Sequence, residues 1–387
     1  MVIGIPKEIL EKEARVAALP ETVKEYVKRG FEVIVEASAG EGALRSDREY
    51  EEAGAKVVPD AASVYAGADL ILKVKQPCLN QSTGKHEAEM MREGTILVAF
   101  LHPAARPNHE TVRILRDRRI TALTMDGIPR TSRAQRMDAL SSMSTITGYK
   151  SVVLAASRLP RVIPMIGTAI GTLRAARFLI IGLGVVGLQA IATARRLGGS
   201  VQALDIREEA RASAESLGAK VVGFEVEPAS LAIGEGGYAR ALPPEWLEKE
   251  REALAPLVAE ADVVILSALV PGEVAPVLVS EEMVRGMKRG SVIVDVAVDQ
   301  GGNCALTDPG KEVWRHGVLV SGVANIPGSV PVDASWLYSN NMLHFIANLF
   351  KPGTSDINLD DEIVKSCLVT HEGRIVHAGT LKAMGES

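Results

Sequence analysis

One short segment restricts the possible folds of this chain more than any other. The stretch from Phe178 to Gly187 reads FLIIGLGVVG, an apolar run that enters a glycine turn, and a helical pattern follows it directly. The spacing GxGxxG falls on Gly182, Gly184 and Gly187. The first glycine permits a tight turn, the second lets a bound group approach the backbone, and the third lets helix and strand pack closely. This succession predicts a parallel α/β sheet that binds a dinucleotide.

The same alternation of short apolar runs and helical patterns extends along most of the chain. Before residue 124 the apolar runs begin at Val2, Glu32, Lys56, Leu70 and Ile96. After residue 176 they begin at Arg177, Ser200, Val263, Ser291 and Gly317. Such alternation predicts βαβ units and parallel sheets. The expected fold class is therefore α/β, with two Rossmann-like, doubly wound parallel-sheet domains flanking a cleft.

The boundaries between these domains follow from the segments that break the alternation. A polar tract over 130–138 precedes a helical pattern that begins near Ala139, so we expect one domain over 1–140 plus 332–387 and another over 141–331. Glycines and prolines between residues 223 and 263 predict a mobile loop over 225–250. The tail is expected to form a helix over 333–349 and strand-like pieces at 363–366 and 374–376, and to return to the first domain.

An acidic residue after the next apolar run indicates which dinucleotide is preferred. Asp205 follows Gly187 by 18 residues, where a carboxylate accepts the ribose hydroxyls of NAD and repels a 2′-phosphate. The cofactor expected from the residues is NAD(H), although Arg207 leaves dual specificity open. The predicted cofactor contacts in this domain are Gly182, Gly184, Val185, Val186, Gly187, Asp205, Ile206, Arg207, Ala268 and Leu269.

Composition excludes several other classes of protein. The net charge is −5, so no nucleic-acid surface is expected. Three cysteines without CxxC spacing and seven scattered histidines predict neither a disulfide framework nor a metal site. The longest apolar stretches are short and interrupted by glycine or proline, and the N-terminus resembles a strand rather than a signal peptide. We therefore expect a cytoplasmic protein without direct membrane insertion.

Several motifs resemble one superfamily. IGIPKE from Ile3, KVKQP from Lys73, FLHPA from Phe100 and VDVAVDQGG from Val294 are similar to segments of the alanine dehydrogenase and transhydrogenase superfamily. GIPRTSRAQRMDALSSMS from Gly127 resembles the nucleotide-binding loop of the transhydrogenase branch. The tail from Cys367 to His377 resembles that of the soluble NAD(H)-binding component of proton-translocating NAD(P) transhydrogenases. The resemblance covers essentially the whole chain.

This resemblance implies a function and a second group of site residues. Arg130, Gln135, Asp138 and Ser141 would be the catalytic positioning groups that hold the nicotinamide carboxamide and ribose, and Gln135 would also reach the partner's nucleotide. Tyr238 would lie in a loop that closes over the nucleotide. Hydride would pass from NADH to NADP+ on a separate NADP(H)-binding subunit, and a membrane-spanning subunit would couple this to proton translocation. The resemblance also implies a homodimer, attached peripherally to the inner membrane through its partner.

Two alternatives remain open at the level of sequence. An alanine dehydrogenase, which forms alanine from pyruvate, ammonia and NADH, would use Arg15 for the substrate carboxylate, Lys75 at the carbonyl and His102 as acid and base. A regulatory module that binds NAD(H) without chemistry would share every binding residue. Direct hydride transfer between two nicotinamides needs no general base, and it depends on positioning and on exclusion of water.

Overall fold

The chain forms two compact units. The computed structural model describes residues 1–223, 225–234, 239–270, 274–351 and 354–386. One unit comprises Met1–Met143 with Pro327–Ser387, and the other comprises Ser144–Ile326. The second unit is thus inserted in the sequence of the first, whose N-terminal and C-terminal segments come together around one sheet.

The helices and strands alternate along both units. The strands are β1 Val2–Ile5, β2 Glu32–Glu36, β3 Lys56–Val58, β4 Leu70–Lys75, β5 Leu79–Asn80, β6 Lys85–His86, β7 Ile96–Phe100, β8 Thr121–Thr124, β9 Ile166–Thr168, β10 Gly171–Leu173, β11 Arg177–Ile181, β12 Ser200–Leu204, β13 Lys220–Val221, β14 Val263–Leu266, β15 Val292–Asp295, β16 Glu312–Arg315, β17 Val318–Ser321, β18 Leu368–His371 and β19 Arg374–Ile375. The helices are α1 Pro20–Lys28, α2 Asp47–Glu52, α3 Ala61–Gly67, α4 Glu87–Met90, α5 His109–Asp117, α6 Ala139–Arg158, α7 Val185–Arg196, α8 Glu208–Ser216, α9 Pro244–Glu260, α10 Glu281–Gly286, α11 Pro331–Leu349, α12 Glu362–Cys367 and α13 Ala378–Met384.

The sheet of the first unit has the strand order β19-β18-β8-β7-β4-β1-β2-β3. Its six strands from the N-terminal segment are mutually parallel, in the doubly wound order 3-2-1-4-5-6. Strand β18 from the tail pairs antiparallel with β8, so the chain returns after the second unit to complete this sheet. Val64, Ile71, Leu97 and Val112 belong to the apolar core on one side of it.

The sheet of the second unit has the order β13-β12-β11-β14-β15-β17-β16. It repeats the same doubly wound order, and all neighbours are parallel except the edge strand β16, which runs antiparallel to β17. Apolar residues on alternating sides of each strand contribute to two cores, with Ile180 in one and Leu179 in the other. Both sheets therefore confirm the predicted α/β class with Rossmann-like sheets, and they add antiparallel edge strands.

Two segments of the structure differ from the sequence-based expectations. Pro244–Glu260 is a helix, so the predicted loop over 225–250 ends at Pro243; apolar residues at Leu247, Leu254 and Val258 give this helix a face that packs on the second core. Residues 363–366 lie in helix α12, whose N-cap Asp361 accepts two backbone N–H groups, and the strand begins only at Leu368.

The second unit also carries a hairpin that the alternation does not predict. Strands β9 and β10 pair antiparallel, and their side chains are exposed throughout. Met165, Ile166, Ile170 and Leu173 present apolar side chains there, and that of Ile170 is fully exposed. None of the helices in the described ranges combines the length and hydropathy that a bilayer span requires.

Candidate functional site

The glycine turn lies where the strand order of the second sheet reverses. Strand β11 pairs with β12 on one side and with β14 on the other, so the turn at Gly182 lies between the ends of all three strands. Gly182 has φ +87°, and a Cβ there would come within 2.6 Å of the Ala268 backbone nitrogen. A Cβ on Gly187 would collide with the Gly182 carbonyl oxygen. Both positions therefore require glycine for the packing of the turn itself.

Gly184 differs from the other two glycines because the space beside it is open. Apart from Gly184 itself and its two neighbours in the chain, no atom of the described residues lies within 4 Å of the position that its Cβ would take. Gly184 is also the N-cap of helix α7 and supplies no side chain to its first turn, in which Val185 and Val186 are half-buried. The backbone N–H groups at such a helix end favour an anion, and the helix dipole adds to that preference. This geometry fits a pyrophosphate group.

Asp205 connects the end of strand β12 to the glycine turn. Its buried carboxylate accepts a hydrogen bond from the backbone N–H of Leu183 through Oδ2, at 2.7 Å. Arg207 donates to the same carboxylate from its backbone nitrogen, at 2.8 Å, and from Nε and Nη2, at 3.0 and 2.8 Å. This pairing raises the pKa of the Arg207 guanidinium. The acidic residue predicted for the ribose is thus at the turn, with a cation beside it.

The segment after strand β14 packs against the glycine turn from another side. Ser267 Oγ donates to the Gly182 carbonyl oxygen at 2.8 Å, which holds the half-buried Ala268 and Leu269 beside the turn. The side chain of Asn303 then binds both backbone groups of Ala268: Oδ1 accepts from its nitrogen at 3.0 Å and Nδ2 donates to its oxygen at 2.9 Å. Asn303 is fully buried, so it replaces a strand neighbour at a point where the sheet has ended.

Asp295, at the end of strand β15, holds the backbone that carries Asn303. It is fully buried and accepts hydrogen bonds from the backbone nitrogens of Ala297, Asn303 and Cys304 and from the Thr307 hydroxyl, at 2.7–3.1 Å. Burial raises the pKa of its carboxyl although these donors oppose the shift. Asp295 therefore orients the segment that carries Asn303.

The predicted nicotinamide residues lie in the first unit, at the start of helix α6. Asp138 accepts from the backbone nitrogen of Ser141 at 2.9 Å and from its hydroxyl at 2.5 Å, so these two residues form a local cap. Arg130 and Gln135 lie in the same segment and are exposed. Tyr238, predicted to cover the nucleotide, lies outside the described residues.

Residues from the tail hold this segment in place. Arg133 Nη1 contacts the Asp361 carboxylate at 2.6 Å and Asn348 Oδ1 at 3.2 Å. Asn341 Nδ2 donates to the backbone oxygen of Arg136 at 2.9 Å. A Cβ on Gly127, at the start of the segment, would collide with the backbone of Ser366 in helix α12. Helices α11 and α12 and the N-cap of α12 therefore hold the segment that carries the four predicted catalytic residues.

The residues that an alanine dehydrogenase would use are also in the first unit. Arg15 and Glu13 form a buried, two-point ion pair in which Nε and Nη2 contact the carboxylate oxygens at 2.7 and 2.5 Å. The half-exposed His102 places Nδ1 3.0 Å from Asp126 Oδ1 and stacks on Phe100. Burial works to raise the pKa of Asp126, but the neighbouring His102 lowers it overall. Lys75 is half-buried at the end of strand β4.

Comparison of the sequence with known protein families identifies the family to which this chain belongs. Residues 4–147 match the family description "Alanine dehydrogenase/PNT, N-terminal domain", and residues 151–378 match "Alanine dehydrogenase/PNT, C-terminal domain". The chain belongs to the alanine dehydrogenase/PNT family. Its glycine turn and Asp205 lie within the C-terminal family domain, and the segment from Arg130 to Ser141 lies within the N-terminal one.

Individual members of the alanine dehydrogenase/PNT family resemble the chain over nearly its whole length. A Rhodospirillum rubrum protein, named as the first part of NAD(P) transhydrogenase subunit alpha, is 44% identical over 379 residues, which are 97% of this chain and 98% of that protein. The crystal structure of a transhydrogenase from Sinorhizobium meliloti has a TM-score of 0.84 at 39% identity and covers 97% of this chain and 100% of that one. A structure named L-alanine dehydrogenase has a TM-score of 0.82 at 30% identity and covers 100% and 99%.

Sequence reasoning misses several residues of the site in this family member. It does not single out Asn303 or Ser267, and it does not pair Arg207 with Asp205. Asn303 binds the backbone of Ala268, 35 positions earlier in the chain, so no local pattern indicates its role. The burial of Glu250 in helix α9 has no signal in the sequence either, since the sequence predicts a loop there.

Proposed function

We propose that this chain is the NAD(H)-binding subunit of a proton-translocating NAD(P) transhydrogenase. In this reaction a hydride passes from NADH on this subunit to NADP+ on a partner subunit. The near-full-length likeness to the Rhodospirillum rubrum subunit is the observation that carries the proposal. An open glycine turn beside a carboxylate supports it, because that arrangement suits NAD(H).

The second unit supplies the groups that would hold the adenosine and pyrophosphate parts of NAD(H). The first turn of helix α7 offers uncapped N–H groups to the pyrophosphate, and Gly184 leaves room for it. Asp205 offers carboxylate oxygens to the ribose hydroxyls, in competition with Arg207. These residues bind and orient, and none of them is required to move a proton.

The first unit supplies the groups that would position the nicotinamide. Arg130, Gln135, Asp138 and Ser141 offer a guanidinium, an amide, a carboxylate and a hydroxyl. The nicotinamide ring supplies the hydride: a C–H bond of NADH breaks, and its electron pair and hydrogen form a C–H bond of NADPH. No O–H or N–H proton is lost, so the chain needs rigid positioning rather than a base. The Asp138–Ser141 cap and the contacts of Arg133 provide that rigidity.

The partners follow from the same proposal. An NADP(H)-binding subunit receives the hydride, and a membrane-spanning subunit couples the reaction to proton translocation and holds this chain at the inner membrane. We also propose a homodimer through the second unit. The exposed apolar hairpin formed by β9 and β10 supports this, because clustered exposed apolar side chains are characteristic of protein interfaces.

Alanine dehydrogenase activity is the second candidate. The His102–Asp126 pair favours it, because a carboxylate that orients a histidine is a common acid–base arrangement. The buried pairing of Arg15 with Glu13 weighs against it, since a guanidinium that already binds a carboxylate at two points has less capacity for a substrate carboxylate.

The deciding experiment is stopped-flow mixing of the NADH-loaded protein with an NADP+-loaded transhydrogenase partner, and separately with pyruvate and ammonium. Rapid oxidation of NADH only with the partner supports the proposal. Oxidation with pyruvate and ammonium would establish the alanine dehydrogenase instead. Tight binding of NADH without oxidation in either case would identify a regulatory module.

Gln135→Asn tests the positioning role of the polar segment. Shortening the side chain by one methylene should slow hydride transfer on the order of tenfold or more, because small displacements of reacting groups have large effects on rate. The affinity for NADH should stay near that of the wild type. A transfer rate equal to that of the wild type, with binding unchanged, would remove Gln135 from the mechanism.

Ile170→Asp tests the proposed dimer. A charge at this fully exposed position of the hairpin should shift the protein toward the monomer in sedimentation velocity, by on the order of tenfold in dissociation constant. Leu44→Asp, an exposed apolar site in the first unit, is the matched control and should leave the assembly unchanged. A dimer that resists Ile170→Asp would place the interface elsewhere.

A further inference from the structure

Helix α11 carries a buried polar stripe formed by Ser335, Tyr338 and Asn341. The three residues are spaced by three positions, so their side chains lie on one side of the helix. Ser335 and Tyr338 are fully buried, and only 7% of Asn341 is exposed. Buried polar side chains normally have partners, and each of these three finds one in a segment far from α11 in the sequence.

Two members of the stripe hold the segments that an alanine dehydrogenase would use. Ser335 Oγ accepts from the backbone nitrogen of Val16, the residue after Arg15, at 3.1 Å. The Tyr338 hydroxyl donates to the backbone oxygen of Lys73, in strand β4, at 2.8 Å. Both bonds end on backbone atoms, so the stripe fixes the course of the chain and leaves the side chains of those segments to other contacts.

Asn341, the third member, holds the turn that carries Gln135. Its Nδ2 donates to the backbone oxygen of Arg136 at 2.9 Å. Gln135–Met137 form a short 3₁₀ turn, in which Gln135 is exposed and its side chain makes no hydrogen bond to any residue that the structure describes. A side chain without such a partner takes its position from its backbone, and Asn341 is bound to that backbone one residue away.

The other half of the Asn341 amide has no partner. Its Oδ1 is buried, and the described part of the chain places no donor within hydrogen-bond distance of it. An unpaired buried amide oxygen costs free energy, and a leucine has a similar shape without that cost. Stability alone therefore does not account for an asparagine here, which leaves its bond to the Gln135 turn as the reason.

We propose that Asn341 is a positioning residue for hydride transfer and that it acts through Gln135. By holding the Arg136 carbonyl, it fixes the backbone from which the Gln135 amide reaches the nicotinamide. Asn341 is itself buried beneath the turn, so it contributes placement and no contact with a nucleotide. This inference rests on the proposed function and adds one residue to the four that the sequence predicts.

Removal of the Asn341 amide should separate stability from rate. In Asn341→Leu the Arg136 carbonyl loses its donor, but the unpaired Oδ1 is removed as well, so the melting temperature should stay close to that of the wild type. Hydride transfer at saturating NADH should slow on the order of tenfold, because the Gln135 turn is no longer held. The affinity for NADH should change little, since the second unit would hold the adenosine and pyrophosphate parts.

The test measures three quantities for the wild type, Asn341→Leu and Asn340→Leu: the stopped-flow rate of hydride transfer to an NADP+-loaded transhydrogenase partner, the affinity for NADH and the melting temperature. Asn340 is a matched control, because its Nδ2 donates to the Trp336 backbone oxygen of the same helix at 2.7 Å. Its replacement should leave the rate unchanged. Asn341→Ser replaces the leucine variant if that protein does not fold.

A double variant shows whether Asn341 acts through Gln135. Gln135→Asn combined with Asn341→Leu should be about as slow as the slower single variant, because misplacing an already shortened side chain has little further effect. Slowing by the product of the two single effects would overturn the inference, and so would equal rates in Asn341→Leu and Asn340→Leu. In both of those cases transfer by the wild type would leave the proposed function intact. A wild type that transfers no hydride to the partner would refute the proposed function, and the inference with it.

Discussion

The two sheets share one strand order, yet the residues at their reversal points are very different. In the second unit the point between β11 and β14 has a glycine turn, with open space at Gly184. In the first unit the corresponding point between β1 and β4 is occupied by Glu8, which accepts from the backbone of Val74 at 2.6 Å. Topology alone therefore does not make a nucleotide site, and the residues at the strand ends decide.

The first unit fills its reversal point with buried charges. Lys73 is fully buried, and its Nζ lies 3.0 Å from Glu87 Oε1 and 3.3 Å from Glu8 Oε2. Tyr65 donates to the same Glu87 oxygen at 2.7 Å. A single ammonium group thus compensates two carboxylates. The reversal point of the first sheet is therefore occupied by the protein's own side chains.

Lys73→Met would test this difference with the largest expected effect. Removing the cation leaves Glu8 and Glu87 buried without their partner, which should cost about 3–5 kcal/mol of unfolding free energy. Denaturant unfolding measures this loss, and Lys56→Met, at an exposed position, is the control. The folded fraction should bind NADH with unchanged affinity. A loss below about 1 kcal/mol would mean that the cluster is not the support that its burial indicates.

A pair of glycine variants should separate packing from binding in the second unit. Gly187→Ala should lower stability by about 1–3 kcal/mol, because its Cβ meets the Gly182 carbonyl, and should weaken NADH binding severely. Gly184→Ala should leave the melting temperature close to the wild type while lowering NADH affinity on the order of tenfold, since only a bound phosphate would meet the new methyl group. If Gly184→Ala bound NADH normally, the open space would not be the phosphate site.

The smallest expected effect is the pH dependence of the melting temperature that arises from Glu250. The folded pKa lies near 7 and that of an unfolded glutamate near 4.3, so the stabilising contribution is complete at low pH and is lost as the pH rises through 7. Glu250→Gln should therefore raise the melting temperature by roughly 2–6 °C more at pH 8 than at pH 5. Parallel melting curves across this range would show that Glu250 does not change its protonation state between pH 5 and pH 8.

The regions of the molecule that can be predicted are those that depend on neighbours in sequence. Strands β11, β12 and β14 begin and end where their apolar runs do, and the glycine turn follows from spacing alone. Helix α6 is also expected from its pattern. In each case one stretch of chain contains both the apolar residues and the residue that ends the element.

The regions that sequence reasoning misses depend on distant partners. Prolines and glycines precede helix α9, so the sequence predicts a loop there instead of a helix. The apolar residues of this helix are buried in the same cluster as Leu204, which lies far away in the sequence. The contact of Arg133 with Asp361 joins residues 228 positions apart, so no local sequence pattern predicts it. The Ile363–Ser366 segment has strand-like residues, yet capping by Asp361 makes it helical.

The pairing of β18 with β8 has a consequence for biosynthesis. Leu123 meets its neighbour Leu368 only when about 245 further residues have been synthesised, which takes about 12–50 s at usual rates of translation. During that interval β8 is an unpaired edge strand, whereas the strands of the inserted unit are all synthesised before β18. The inserted unit can therefore complete its sheet first, and the surrounding unit completes its own only when the last strands of the chain arrive.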